Sequence, residues 1–351
     1  MTTQESQNKA ACFYGLPNAA ARGYFLCEKF LHKGQSVVFV RGAQTQEDAL
    51  HAAVKEFGPQ NALAVHLPEQ HIGRMAALYQ LLQNQQPFLL DIHPQDLDAA
   101  FPSAQEFKRR LFEVHRGATL RRQDLLDVLE NAGYQREDYA ESPGQYAVRG
   151  SVVDVFCLDQ HLPLRLYFSG RTVQSIASFD LDTQNTQEQT DKAVIVPLRF
   201  EREEDSLSAY TTGAVYAFEE NLPPEGSFPQ AVVLSTLPAA HATDCGLQAN
   251  IRFGANWPLL EREAQQLKNR NIHLTLCCLN RGELDRLGEI MQEYPTLSKT
   301  PIKISPLIQG FVNPGKQQAF ITSCEILDRR YNTSGVLKSF TVEGAKRVRF
   351  K

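Results

Sequence analysis

The sequence lacks the short motifs by which most metal centres and hydrolase sites are recognised. Its seven cysteines are odd in number and never form Cys-x-x-Cys, so neither a disulfide framework nor a zinc site is expected. Neither G-x-S-x-G nor H-E-x-x-H occurs, and the nine histidines are scattered along the chain. We therefore expect reduced, buried thiols and no metal site.

The sequence also lacks an excess of positive charge and any long apolar run. Its formal net charge is -4, whereas a chain that mainly grips nucleic acid is usually basic. No apolar run approaches the ~20 residues that cross a bilayer. The N-terminal residues have no basic patch followed by an apolar core, so they do not resemble a signal peptide. We expect a cytoplasmic protein with no membrane partner.

The pattern of apolar runs predicts an α/β fold built on a parallel sheet. The length of 351 residues suits two or three domains, and 42% apolar residues are enough for their cores. Short apolar runs alternate with helical spacing, which is typical of a doubly wound sheet. A capping box is predicted at Thr45. The predicted elements are strands at 37–40, 62–65, 88–92 and 231–234, and a helix at 71–84.

The pattern changes near Arg116 and indicates an inserted α+β domain with an antiparallel sheet. A helix is predicted over 120–132 and is ended by Gly133. Three β segments follow, at 145–157, 164–168 and 173–179. A later segment predicts a small α/β domain with helices at 259–269 and 282–293, strands at 273–279 and 319–322, and a basic tail. The predicted division is 1–115, 116–197, 198–250 and 251–351.

A phosphate-binding loop would stand after the first apolar segment, but its chemistry is missing. A working loop reads G-x-x-x-x-G-K-[ST], and Gly15–Arg22 reads G-L-P-N-A-A-A-R. Ala20, Ala21 and Arg22 replace the second glycine, the lysine and the hydroxyl residue, which cradle phosphate, match its charge and bind Mg²⁺. Arg22 could bind an anion, but we favour an ordinary strand–helix junction capped by Asn18.

A β-hairpin is predicted between residues 145–157 and 163–169. With the turn centred on Gln160, antiparallel pairing places Val155 opposite Arg165.

The same register places Arg149 opposite Arg171. Leu164, Leu166 and Phe168 then face the helix at 120–132. Arginines beside an aromatic residue are typical of binding surfaces, although a solvated strand face is the common alternative. The opposite face is predicted to carry Arg149, Arg165, Tyr167 and Arg171.

Two further features leave alternatives open. Asp154 lies in an apolar strand, where a structural carboxylate, either on the solvent face or paired with arginine, is favoured over a catalytic one. The basic residues at 108–110, 115–116 and 121–122 could contact DNA phosphates, although a solvated face is favoured. A third interpretation is that the chain is a nucleotide hydrolase with an atypical phosphate-binding loop. The Gly15–Arg22 sequence argues against this interpretation.

The inserted segment resembles a run shared by UvrB and the transcription-repair coupling factor family, Mfd. Residues 141–156 resemble E-x-x-G-E-[FY]-A-x-R-G-x-[IL]-[IL]-D-[IVL]-F, and residues 162–170 resemble P-x-R-[IL]-[ED]-F-F-[GD]-D. Residues 179–184 resemble F-D-x-x-[TS]-Q. The segment at 310–326 resembles one found in the coupling factors and not in UvrB. The chain is thus similar to the N-terminal, UvrB-like region of that family, which carries a degenerate phosphate loop.

This resemblance implies a non-catalytic adaptor region without a cofactor. In the family the inserted domain binds UvrA, which couples stalled transcription to nucleotide excision repair. RNA polymerase and double-stranded DNA are implied as partners only in a full-length context, where an ATP-dependent translocase lies further along the chain. The resemblance assigns UvrA contacts to Arg149 and Arg165, with Tyr167, Phe168, Ser169 and Arg171 around them. Ser169 stands where the family has a second phenylalanine, so one apolar anchor is missing.

Overall fold

The computed structural model describes residues 10–42, 47–220, 228 and 230–329. The chain divides into two compact units. The first comprises residues 1–65, 86–94 and 213–351, and the second comprises residues 66–85 and 95–212. The capping box predicted at Thr45 lies outside the described residues. Within the described part, no helix has the length and apolar character needed to span a membrane.

The first unit is built on a seven-stranded sheet in the order β15-β1-β14-β13-β2-β4-β3. Pairing is parallel from β15 through β4, as the apolar runs predicted. All four residues of β2 are buried, which fits a strand covered on both faces. The bounds are β1 Ala11–Tyr14, α1 Ala19–Lys29, β2 Val37–Val40, α2 Glu47–Phe57, β3 Leu63–His66, β4 Phe88–Ile92, β13 Val215–Glu219, β14 Ala231–Leu234 and β15 Thr243–Asp244.

Strand β13 was not predicted from the sequence, although it lies in the middle of this sheet. It pairs with β14 on one side and β2 on the other, and all five of its residues are buried. The run Val-Tyr-Ala-Phe-Glu is short and is set in a stretch rich in proline and glycine, so its periodicity is weak. The strand brings Glu219 and Glu220 to the carboxyl edge of the sheet.

A five-stranded sheet completes the first unit, in the order β16-β19-β20-β17-β18. The predicted helices near 259 and 282 and the strands near 273 and 319 are confirmed. Leu260, Leu276 and Leu287 are among the buried residues of its core. The bounds are β16 Gln248–Ala249, α6 Trp257–Asn269, β17 His273–Cys278, α7 Arg281–Met291, β18 Ile302–Ile304, β19 Phe311–Asn313, β20 Gln318–Thr322 and α8 Ser323–Leu327.

The second unit contains a six-stranded sheet in the order β11-β10-β9-β8-β7-β6 and a two-stranded sheet of β5 and β12. The predicted helix near 120–132 is α5, which ends at Gly133 with a φ of 91°, a conformation that glycine adopts easily. The bounds are α3 His71–Gln83, α4 Ala104–Arg110, β5 Phe112–His115, α5 Arg122–Ala132, β6 Gln135–Arg136, β7 Gln145–Arg149, β8 Val152–Val155, β9 Leu164–Ser169, β10 Thr172–Phe179, β11 Thr186–Thr190 and β12 Lys192–Ile195.

The segment predicted as one strand over 145–157 is in fact two antiparallel strands. β7 and β8 are joined by Gly150 and Ser151, and Arg149 pairs with Val152. Gly150 has a φ of 59°, which a two-residue hairpin turn requires and glycine supplies without strain. The prediction that Arg149 lies opposite Arg171 was therefore wrong.

The predicted register of β8 against β9 was also wrong, by one residue. Arg165 lies opposite Asp154, and Val155 lies opposite Leu164. The centre of the turn falls between Asp159 and Gln160 and not on Gln160 itself. The sequence alone does not determine where the turn is centred, because the connection is long and has no two-residue turn motif. A shift of half a residue in the centre of the turn changes the register by one residue.

The prediction for the inner face of this sheet is confirmed. Leu164, Leu166 and Phe168 are buried on the face that also carries Tyr146. The Tyr146 hydroxyl donates a hydrogen bond to Glu130 of α5 at 3.1 Å. The helix therefore covers the apolar face, and the alternate side chains of β7, β8 and β9 lie on the outer face.

Replacing Leu166 by alanine should destabilise the second unit. Leu166 has no exposed surface, so truncation leaves a cavity and should lower the free energy of unfolding by about 2–5 kcal/mol. Urea denaturation followed by circular dichroism measures the change. The control is Gln174→Ala on exposed β10 surface, which should change stability by less than about 0.5 kcal/mol. Equal effects of the two substitutions would contradict the assignment of faces.

Candidate protein-binding face

The outer face of the six-stranded sheet carries two neighbouring rows of side chains. Pairing across β7, β8 and β9 aligns Arg149, Val152 and Tyr167 in the first row. The second row contains Asp154 and Arg165. Because side chains alternate along each strand, both rows point away from α5. The prediction that Arg149, Arg165 and Tyr167 share a face is confirmed.

Arg165 is held by partners inside its own domain. Its guanidinium donates to both carboxylate oxygens of Asp154, at 2.7 and 2.8 Å, and to Gln184 Oε1 at 2.9 Å. It also lies over the ring of Phe179, 4.1 Å from the centroid. The Arg165 side chain is 14% exposed and that of Asp154 is 4% exposed. These contacts confirm the prediction that Asp154 is paired with an arginine.

This pairing has an electrostatic consequence for Arg165. The hydrogen bond to Asp154 and the charge of its carboxylate raise the pKa of the guanidinium. A forked guanidinium bound to both oxygens of a buried carboxylate is a strong and directional contact. The Arg165–Asp154 pair thus joins β8 to β9, and only the partly exposed edge of Arg165 faces solvent.

Arg149 has a different environment from Arg165. It is exposed, and among the described residues no carboxylate lies within ion-pair distance of it. Its guanidinium donates to the backbone carbonyl of Asp138 at 3.0 Å and stacks on the ring of Tyr139 at 4.4 Å. A guanidinium has five N–H donors, so most of its donors face solvent. Arg149 is therefore held in place by its neighbours, and its remaining N–H groups can donate hydrogen bonds to an acidic group of a partner.

The other residues assigned to this face are not all on it. Tyr167 is exposed beside the arginines, whereas Phe168 is buried on the inner face. Ser169 is exposed at the end of β9, where it pairs with Thr172. Arg171 lies in the β9–β10 turn and not on the strand face. Tyr139 was not selected from the sequence, since nothing in its pattern indicates that the segment after β6 folds beside β7.

Five of the seven basic residues at 108–110, 115–116 and 121–122 are engaged inside the second unit, whereas Lys108 and Arg109 are exposed. The contacts are Arg110 to the Asn131 carbonyl at 3.1 Å and to the Phe200 ring at 5.1 Å, His115 to Glu113 at 3.2 Å, Arg116 to Asp191 at 3.0 Å, Arg121 to Asp124 at 2.6 Å, and Arg122 to the Gly150 carbonyl.

In the first unit, the junction between β1 and α1 is closed by protein groups. Asn18 Oδ1 accepts a hydrogen bond from the Ala21 amide at 2.9 Å, which confirms the predicted cap. Ala20 and Ala21 have no exposed surface. Gly15 has a φ of 71°, and a Cβ there would lie 2.6 Å from Asp244 Oδ1. The glycine is thus required by the tight approach of Asp244 and by its backbone conformation.

Arg22 is also engaged by neighbouring side chains. It is buried, and its guanidinium donates to Glu219, to Glu220 at 2.6 Å and to the Thr236 hydroxyl at 3.0 Å. Burial raises the pKa of Glu220, but hydrogen bonds from Thr236 and Ser235 and the charge of Arg22 outweigh it and lower the pKa. Two carboxylates already match the charge of Arg22, which leaves little attraction for an added anion.

Removing the Arg165 side chain should destabilise the second unit more than removing that of Arg149. Arg165→Ala leaves the buried Asp154 carboxylate without its cation, which should cost about 3 kcal/mol of stability. Arg149→Ala removes an exposed group and should cost less than about 1 kcal/mol. Urea denaturation measures both. The double variant Arg165→Met with Asp154→Leu should recover much of the loss, and a similar cost for both single variants would refute the buried-pair account.

Comparison with known proteins places this face in a recognised domain. Residues 112–200 match the family described as UvrB interaction domain. The chain is 32% identical over 127 residues to transcription-repair-coupling factor of Escherichia coli (strain K12), which covers 36% of this chain and 11% of that protein. It is 30% identical over 97 residues to UvrABC system protein B of Chlorobium limicola, which covers 28% of this chain and 14% of that protein.

A third relative, transcription-repair-coupling factor of Haemophilus influenzae, is 30% identical over 132 residues, or 37% of this chain and 11% of that protein. The similarity therefore spans between 11% and 14% of the lengths of these three relatives. Residues 112–200 therefore match the UvrB interaction domain family, and parts of the chain are similar to UvrABC system protein B and to transcription-repair-coupling factors.

Proposed function

We propose that this chain binds UvrA through the outer face of its UvrB interaction domain. The observation that carries the proposal is the state of Arg149, which is exposed, stacked on Tyr139 and without an acidic partner among the described residues. Arginine and tyrosine are the residue types enriched where binding energy concentrates in protein interfaces. The proposed domain, residues 116–197, lies inside the matched segment.

The biological role that we propose is an adaptor that recruits UvrA to stalled transcription for nucleotide excision repair. The names of the two groups of relatives, transcription-repair-coupling factor and UvrABC system protein B, support this role. RNA polymerase and double-stranded DNA are proposed as partners of a longer protein that contains this region. The chain itself is proposed to act without a cofactor.

The closed β1–α1 junction supports the proposal that this chain does not hydrolyse ATP. A phosphate loop needs free backbone amides, a glycine that permits close approach and an unpaired lysine. Here the Ala21 amide is capped, and the Arg22 charge is matched by Glu219 and Glu220. We regard the junction as the degenerate form of a phosphate-loop-type domain.

Binding to UvrA can be measured by calorimetric titration of the purified chain. Arg149→Ala should weaken the complex by about 1–3 kcal/mol, or roughly five- to 150-fold, because an acidic group on UvrA would lose a forked donor. The matched control is Arg202→Ala, which removes another exposed arginine of the second unit. No saturable binding by the unaltered chain at tens of micromolar UvrA would refute the proposed function.

ATP binding tests the enzyme alternative separately. Titration with ATP and Mg²⁺ up to about 1 mM should give no saturable heat, since the Ala21 amide and the Arg22 guanidinium are occupied. Saturable binding that is lost in Arg22→Ala would instead support a nucleotide site at this junction.

The DNA-binding alternative predicts a strong dependence of binding affinity on salt concentration. A domain that used residues 108–122 to neutralise phosphates would bind duplex DNA with an affinity that falls steeply as salt rises. Arg110, Arg116 and Arg121 form contacts within the second unit, so we favour UvrA binding over DNA binding.

A further inference from the structure

Two aromatic side chains stand out because they are exposed. Among the described residues, Tyr139 at 54% and Tyr167 at 36% are the only exposed aromatic side chains. Both lie in the segment that matches the UvrB interaction domain family; Tyr139 contacts Arg149, and Val152 separates Arg149 from Tyr167 in the same row. Single exposed apolar residues are common on proteins, but two tyrosines near an arginine without an ion-pair partner match the composition of interface hot spots.

Tyr139 is held in place by backbone contacts along the sheet edge. The Glu137 amide donates to the Tyr146 carbonyl at 2.9 Å, which continues the β6–β7 pairing beyond β6. Arg149 donates to the Asp138 carbonyl at 3.0 Å. The segment that carries Tyr139 therefore lies beside β7, and the Tyr139 ring contacts Arg149 at the end of the first row.

The extended row has an aromatic ring at each end. It runs from Tyr139 through Arg149 and Val152 to Tyr167, and the two steps of about 4.8 Å from β7 to β9 make the part from Arg149 to Tyr167 about 10 Å wide. Next to it, a pocket of about 350 Å³ is lined by Arg136, Glu137, Asp138, Tyr139, Val148 and Arg149. The row offers a contact stripe, and the pocket offers space for a partner side chain.

We propose that Tyr139 is a second anchor for UvrA, acting together with Arg149; this inference rests on the proposed function. The ring holds the Arg149 guanidinium flat, which lowers the entropy lost when it binds a carboxylate. The ring also supplies apolar contact on a face where Ser169 offers none. The partner surface should therefore present a carboxylate to Arg149 and an aliphatic side chain to Tyr139.

Three variants test the role of Tyr139 in titrations of the full chain with UvrA. Tyr139→Ala should weaken binding at least about tenfold, as expected for a hot-spot residue. Tyr139→Phe keeps the ring and should stay within about threefold of the unaltered chain. The matched control is Leu237→Ala, which removes the most exposed large apolar side chain among the described residues of the first unit and should leave binding unchanged.

A double-variant cycle tests whether Tyr139 and Arg149 act as one group. The losses from Tyr139→Ala and Arg149→Ala should be strongly non-additive, so that the double variant binds about as weakly as Arg149→Ala alone. Additive losses would overturn the joint role. The thermal unfolding midpoint of Tyr139→Ala should match that of the unaltered chain, and a lowered midpoint that accounts for the binding loss would also overturn it.

The outcomes separate this inference from the proposed function. If Arg149→Ala weakens UvrA binding and Tyr139→Ala does not, the anchor role is overturned and UvrA binding stands. If the unaltered chain does not bind UvrA, the proposed function fails and the anchor role fails with it.

Discussion

The pair formed by Asp154 and Arg165 is the contact on which the outer face of the UvrB interaction domain depends. It joins β8 to β9 through two hydrogen bonds and buries the carboxylate almost completely. A slip of one residue would leave this carboxylate unpaired and would turn Leu166 outwards, so the correct register is strongly favoured. The same register places Arg149, Val152 and Tyr167 in one row.

The two arginines that the family resemblance links to UvrA therefore have different physical states. Arg165 forms hydrogen bonds with Asp154 and Gln184 and lies over the ring of Phe179, so most of its interactions are within its own domain. Arg149 stacks on Tyr139 and has no acidic partner among the residues that the structure describes. A charge that is positioned but unpaired is the better source of specificity towards an acidic surface. Loss of binding after a change at Arg165 would mix a folding effect with a contact effect.

Much of the fold could be predicted from the sequence, because local patterns determine it. The buried strands β2 and β4 are continuous apolar runs, and α5 shows helical spacing and a glycine stop. β13 escaped prediction because its short run lies among loop residues. The register of β8 and β9 escaped because a long connection permits several pairings. The position of Tyr139 beside Arg149 was not predicted, because it depends on contacts between separate segments and not on a local sequence pattern.

Hydrogen–deuterium exchange of the chain with and without UvrA locates the contact without altering a residue. We predict that the amides of residues 137–141 and 150–151, which flank the row of Arg149, exchange more slowly in the complex. Protection confined to residues 104–122, or to the first unit, with residues 137–151 unchanged, would contradict it.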